Sequence, residues 1–147
     1  MVLVAKDIMD ASILALDDET DALTCARAMV VQRKGYAIVT HGGPKTVAGI
    51  VTEWDFLEKV LVGGRDPSQV RLKDLASSNL QACSPDTPTD EVVNTMARLG
   101  VRRLVVRSGE QVVGVITTRN ILSTFREYVD RLSSEIAGYQ SSTTPLG

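Results

Sequence analysis

Aromatic residues are scarce in this chain of 147 residues, at 4% of the total. A groove for single-stranded nucleic acid needs stacked aromatics along a basic stripe, so the composition argues against nucleic acid as a partner. Charge of one sign is lacking too. Sixteen basic residues face eighteen acidic ones, for a formal net charge of −2, which leaves no global pull toward nucleic acid or an anionic bilayer while permitting a local basic pocket. No apolar run approaches the roughly 20 residues that span a bilayer. Residues 1–10 mix charges with short apolar stretches, unlike a signal peptide. A cytoplasmic protein with no membrane partner is the expectation.

Cysteine and histidine are nearly absent. Cys25 and Cys83 have no CxxC spacing, and their helical phase and repeat position make them small core residues, with a disulfide as the alternative. His41 lies in the turn-like His41-Gly42-Gly43-Pro44 with no cysteine or second histidine near it, so it is read as solvated and no metal site is expected. Also missing are a nucleophile beside a histidine base, a P-loop and a glycine-rich dinucleotide fingerprint. An enzyme would need Asp17, Asp18 or Asp55 as acid or base with no nameable helper. The sequence therefore reads as non-enzymatic.

What the chain does have is a repeat. Residues 4–39 laid on 71–106 bring Lys6-Asp7 onto Lys73-Asp74, Thr20 onto Thr87, Met29 onto Met96 and Val39 onto Val106. Past a loop two residues shorter in the second copy, Val47, Gly49, Thr52 and Leu57 fall on Val112, Gly114, Thr117 and Leu122. Two copies of one supersecondary unit are expected to pack about a pseudo-two-fold axis, with paired clefts at their seam. Each copy reads β-α-β-β-α. In the first, a strand over 13–16 leads to a helix capped by Thr20 with Ala22, Cys25, Ala26 and Met29 on its buried stripe. A hairpin over 36–40 and 46–51 and a helix over 52–62 follow. In the second, a strand over 80–83 leads to a helix capped by Thr87, with Pro88 at its first position and Thr89, Val92, Val93 and Met96 inward. A hairpin over 103–107 and 111–116 and a longer helix from Thr117 to about Leu132 complete it. The fold class is mixed α/β (α+β). Domain bounds are 1–62 for the first repeat, 63–70 for a breaker-rich linker, 71–132 for the second repeat and 133–147 for a frayed tail.

Chemistry concentrates at the strand-to-helix junctions, Gly49-Ile50-Val51-Thr52-Glu53-Trp54-Asp55 and Gly114-Val115-Ile116-Thr117-Thr118-Arg119-Asn120. A Thr-X-X-Asp helix start can be a capping box and nothing more. It can equally be an anion site, where the free N–H groups and helix dipole favour phosphate and the residue one turn on reaches ribose hydroxyls. Two copies in one setting favour the second reading. Arg102 and Arg103 precede the second hairpin and Arg119 lies in the adjacent junction, so three guanidiniums can converge on phosphate. The alternative is a solvated pair. Lys34-Gly35-Tyr36 and Trp54 occupy the matching first-copy positions, so the two clefts cannot bind alike. Trp54 reads as packing.

The repeated Lys-Asp-apolar start, the Met-bearing helix, the paired strands and above all Gly-apolar-apolar-Thr-X-X-Asp/Asn resemble a tandem pair of CBS domains over residues 4–125. The resemblance implies a homodimer and adenosine-ligand sensing in the clefts between two domains. It assigns Thr117 and Asn120, and Thr52 and Asp55, to phosphate and ribose, Arg102 and Arg103 to phosphate, and Lys34 and Gly35 to the adenine end of the Thr117/Asn120 cleft. That cleft is the first choice. Asn120 departs from the commoner aspartate and should bind ribose more weakly. The implied role is an energy-sensing regulatory module for AMP, ADP or ATP acting on an effector protein in trans, with S-adenosylmethionine and reduced nicotinamide dinucleotide as other adenosyl candidates. The alternative is a structural dimerisation module with no physiological nucleotide.

Overall fold

The runs Tyr36-Ala37-Ile38-Val39-Thr40 and Leu104-Val105-Val106 are buried at every residue, and strands apolar on both faces must be covered on both. The computed structural model, which describes residues 3–142 and the side chains of 3–139, shows how. In the first half β1 (Ala15–Asp17) runs parallel to β2 (Tyr36–Thr40), with α2 (Ala22–Gln32) as the crossover, and β2 pairs antiparallel with β3 (Val47–Thr52). In the second, β4 (Ala82–Cys83), α5 (Thr89–Leu99), β5 (Arg103–Ser108) and β6 (Gln111–Thr117) repeat the arrangement. The register repeats as well: Ala15 faces Ile38 as Ala82 faces Val105, and both hairpins carry an irregularity at matching positions, Val39/Thr40 and Val106/Arg107. The expected mixed α/β architecture is observed.

Three apolar clusters hold the halves together. Cys25, Met29, Ala37, Val39, Val51 and Leu75 belong to the first, and Ile8, Val92, Met96, Leu104, Val106 and Ile116 to the second. The third joins the opposite faces of the two sheets, Tyr36 and Ile38 with Val105, Val112 and Val115. Ile38 and Val105 are repeat equivalents, and so are Ile50 and Val115, so this seam straddles the pseudo-two-fold axis.

The short helices α1 (Ala5–Ile8) and α4 (Leu72–Leu75) exchange partners. Ala5 and Ile8 are buried in the second cluster, while Val70, Leu72 and Leu75 are buried in the first. The backbone bonds match pair by pair. Ala5 N–H donates to Thr87 O as Leu72 N–H donates to Thr20 O, both within 2.9 Å. Asp10 bridges Val115 as Ser77 bridges Ile50. Each sequence repeat therefore begins with an arm that completes the other repeat's core. Gly49 and Gly114 lie beneath these arms. A Cβ at Gly49 would meet Ser77 O at 2.5 Å, and one at Gly114 would fall on the Met9 side chain and within 3.1 Å of Asp10 O. The glycine of the repeated motif is there to let the arm cross.

Several boundaries differ from expectation. Asp21, not Thr20, caps α2, its carboxylate accepting from Thr24 N–H at 2.8 Å, and Pro88 precedes α5 at the cap position. Thr20 and Thr87 instead give their carbonyls to the arms. Val93 is 40% exposed, not inward. Cys25 is buried and Cys83 half-buried, both free thiols; burial pushes the Cys25 thiol up to about 11. His41 is exposed but paired, Nδ1 lying 2.8 Å from Asp18 Oδ2. The helix after β3 begins as α3 (Glu53–Asp55) and continues as a π-helical stretch, Phe56–Leu61. Finally α6 (Thr118–Ser142) runs well past Leu132. No proline interrupts it before Pro145, and Gly138 alone is tolerated in a helix. Residues 143–147 of the expected frayed tail lie outside the described residues.

Candidate functional site

Both strand-to-helix junctions close as capping boxes. Thr117 N–H and Oγ1 donate to Asn120 Oδ1 at 2.8 and 3.0 Å, and Asn120 N–H returns a bond to Thr117 Oγ1 at 3.2 Å. Thr52 N–H and Oγ1 donate to Asp55 Oδ2 at 2.8 and 3.1 Å. The two differ in what they leave over. Asp55 Oδ1 lies 3.2 Å from Lys59 Nζ, which also donates to Leu75 O at 2.9 Å, so that carboxylate is spoken for on both oxygens. Asn120 has spent its oxygen and keeps an NH2 group, so it faces a ligand as a donor. The carboxylate-like acceptance of ribose hydroxyls expected at these positions is thus engaged by protein at both.

The junction of α6 opens into a cleft of about 1360 Å³ between the repeats. Thr117, Arg119, Asn120, Arg102, Arg103, Lys34 and Gly35 all line it, so the structure gathers seven of the nine expected residues in one place. Arg33 and Arg65 add two more cations, whereas the acids of the lining are Asp10 and Glu53. Asp10, carried in by the first arm, pairs with the largely buried Lys34 at 2.5 Å. Glu53 reaches Arg103 at 3.5 Å. Six cations against two anions, in a chain of net charge −2, make this a local anion-attracting field.

Arg103 and Tyr36 are repeat equivalents that meet on the pseudo-axis, the guanidinium carbon 5.8 Å from the ring centroid. Tyr36 is 4% exposed. Neither its hydroxyl nor Arg103 Nε has a hydrogen-bond partner among the described residues, an unsatisfied state that costs roughly 1–3 kcal/mol per buried group. Burial pushes the Tyr36 hydroxyl up to about 12, so it stays a donor. Gly35 is packed beneath the same group, since a Cβ there would fall on Glu53 Oε1 and Arg103 Nη2. Beyond this polar end the cleft runs into an apolar trough of Met29, Val30, Phe56 and Leu57.

A smaller cleft of about 550 Å³ lies on the other side of Arg102 and Arg103, with Thr52, Trp54 and Gln81 in its walls. Trp54 is 66% exposed, contrary to its reading as packing. Asp55 is turned back onto Thr52 and Lys59. Among the described residues no group of three or more histidine, cysteine or acidic side chains could hold a metal, and no helix is long and apolar enough to cross a membrane.

The sequence profile of the CBS domain matches residues 5–62 and again 72–127. The chain belongs to the CBS-domain family. As a CBS pair it is 28% identical over 117 residues to hypoxic response protein 1 of Mycobacterium tuberculosis, covering 80% of this chain and 81% of that one. Among solved structures it is similar to an uncharacterized conserved protein from Pyrococcus horikoshii, with TM-score 0.78, 24% identity and 86% and 94% of the two chains covered. It is also similar to the CBS pair of protein MJ0100, solved with 5′-methylthioadenosine and S-adenosyl-L-methionine, with TM-score 0.76, 18% identity and 87% and 99% covered.

Within this CBS pair, sequence reasoning missed Asp10, Arg33, Tyr36, Glu53 and Arg65. Asp10 was invisible because the arm exchange is a tertiary fact. Arg33 had a signal: it falls on Gly100 in the repeat, both hold left-handed backbone at φ 54° and 66°, and a non-glycine there is a strained exception.

Proposed function

We propose that this CBS pair is a regulatory module that binds an adenine nucleotide in the larger cleft and passes its occupancy to an effector protein in trans. The observation that carries this reading is the six-cation lining at the start of α6, where Arg102, Arg103 and Arg119 gather in one cleft. Phosphates would take the guanidiniums, with the helix dipole adding to the attraction. The Asn120 amide would donate to a ribose oxygen, and the adenine would lie toward Lys34 and Gly35, above the apolar trough. AMP, ADP and ATP differ in how many of the cations they satisfy, which makes the site suited to energy sensing in a cytoplasmic setting. The family fold offers a homodimer as the working assembly. The adenosyl ligands of the MJ0100 pair support the ligand class, with S-adenosylmethionine and reduced nicotinamide dinucleotide as further candidates.

A second reading, a dimerisation module with no nucleotide, draws on Arg103 being held by Glu53 and on both caps being closed. Thermal melting separates the two. At 100 times its Kd, a ligand that binds only the folded state adds about 2.7 kcal/mol, equivalent to a rise of about 5–10 °C for a chain of this size. The nucleotide reading expects that rise with at least one of AMP, ADP and ATP at millimolar excess. No rise with any adenosyl compound favours the dimerisation module.

A further inference from the structure

Ile121 is the last residue of α6 that packs into the second core. From Phe125 to Tyr139 every residue is exposed, so the outer part of the helix projects from the body. An isolated helix of about 15 residues is marginal in water even with favourable composition, and this one includes Val129, two serines and Gly138. Its apolar residues are not scattered. Leu122, Phe125, Val129, Leu132 and Ile136 follow one another at spacings of three, four, three and four, and are 62%, 64%, 42%, 38% and 57% exposed.

Seven-residue periodicity is the signature of a second helix running alongside, because it keeps one seam facing a helical partner through a shared supercoil. In that frame Leu122, Val129 and Ile136 occupy the a positions and Phe125 and Leu132 the d positions. Val129 and Ile136 at a with Leu132 at d give the outer part of the seam the β-branched and leucine pairing that favours two parallel strands.

We infer that the outer half of α6 pairs with the same segment of a second copy of this chain in a parallel, two-stranded coiled coil. Identity of the two strands suits the charges. Residues 125–139 carry Arg126 and Arg131 against Glu127, Asp130 and Glu135, a balance of −1 that lets two copies meet without strong repulsion. The same near-neutrality lacks the basic face that an anionic lipid surface requires. Five side chains from each copy, at about 60–120 Å² apiece, bury roughly 600–1,200 Å², reaching the size at which specific interfaces begin. This inference places the seam of a dimer. A homodimer as such does not depend on it.

Sedimentation equilibrium of the full chain from about 1 to 200 µM tests it. The wild type should self-associate as a dimer, and Leu132→Asp with Ile136→Asp should raise the dimer dissociation constant at least about 100-fold with an unchanged melting transition of the body. The outward-facing Ser134→Asp should change it less than about 3-fold. In a separate variant, Leu132→Cys should form an intermolecular disulfide under mild oxidation, while Ser134→Cys should not. A wild type that stays monomeric, or a dimer untouched by the double aspartate variant, overturns the seam; in the latter case the dimer itself survives. A dimer that the double aspartate variant dissolves, but that Leu132→Cys fails to cross-link, overturns the parallel arrangement.

Discussion

Replacing Ile8 with alanine should loosen the half of the molecule to which Ile8 does not belong by sequence. Ile8 is 6% exposed, packed in the cluster of Val92, Met96, Leu104 and Ile116. Truncation at such a site costs about 2–5 kcal/mol, because the transfer free energy of the lost atoms adds to a cavity that the neighbours only partly fill. That corresponds to a fall of about 5–15 °C in Tm. Hydrogen exchange followed by mass spectrometry locates the loss. Protection should fall in α5, β5 and β6, with β1 to β3 little changed, since sub-global opening follows cooperative packing units. The mirror variant, Leu75→Ala, should do the reverse. If Ile8→Ala instead deprotects residues 15–52, the exchange of arms does not carry the stability assigned to it.

Two further outcomes follow from single residues. His41 is held above the ordinary histidine value of 6.5 chiefly by its hydrogen bond to Asp18. Because the folded value is the higher one, the pair's contribution is fully present below about pH 6.5 and is lost as pH rises through the raised value. The Tm difference between wild type and His41→Asn should therefore shrink from about pH 6 toward about pH 9; a constant difference refutes the pairing. Arg33→Gly should relieve left-handed strain of about 1 kcal/mol and raise Tm by a few degrees while weakening nucleotide binding. Calorimetric melting and a nucleotide titration on the same variant check both halves.

Much of the fold was legible because the chain states it twice. Paired evidence at Gly49/Gly114, Thr52/Thr117 and Met29/Met96 fixed the order of elements where one copy would have been ambiguous. Strand starts and helix caps were not legible. Thr20 and Thr87 look like caps locally, but their carbonyls are claimed by arms arriving from the other repeat, and no local pattern records that. The same exchange hid Asp10, which reaches Lys34 only because residues 3–10 cross the molecule. Arg102, Arg103, Thr117, Arg119 and Asn120 could be grouped in advance because they share one repeat and one junction. The state of their hydrogen bonds could not. Asn120 reads as a weak aspartate in sequence, yet its oxygen is consumed by Thr117 and it presents a donor. Likewise, the length of α6 was underestimated although its apolar spacing of three and four continues past Leu132 to Ile136, because the residues of this outer half are exposed and join no core.

The most direct test of the nucleotide cleft is isothermal titration of AMP, ADP and ATP into the wild type and Arg119→Ala. Arg119 is exposed on the cleft wall, so its removal should leave the Tm of the ligand-free chain within about 1–2 °C, the effect of a surface change of about 0.5 kcal/mol. A hydrogen bond to a charged group contributes about 1.5–3 kcal/mol. The account predicts that the wild type binds at least one of the three and that the variant binds it about 10- to 100-fold more weakly. Nucleotide binding unaffected by Arg119→Ala, or no binding by the wild type, would contradict it.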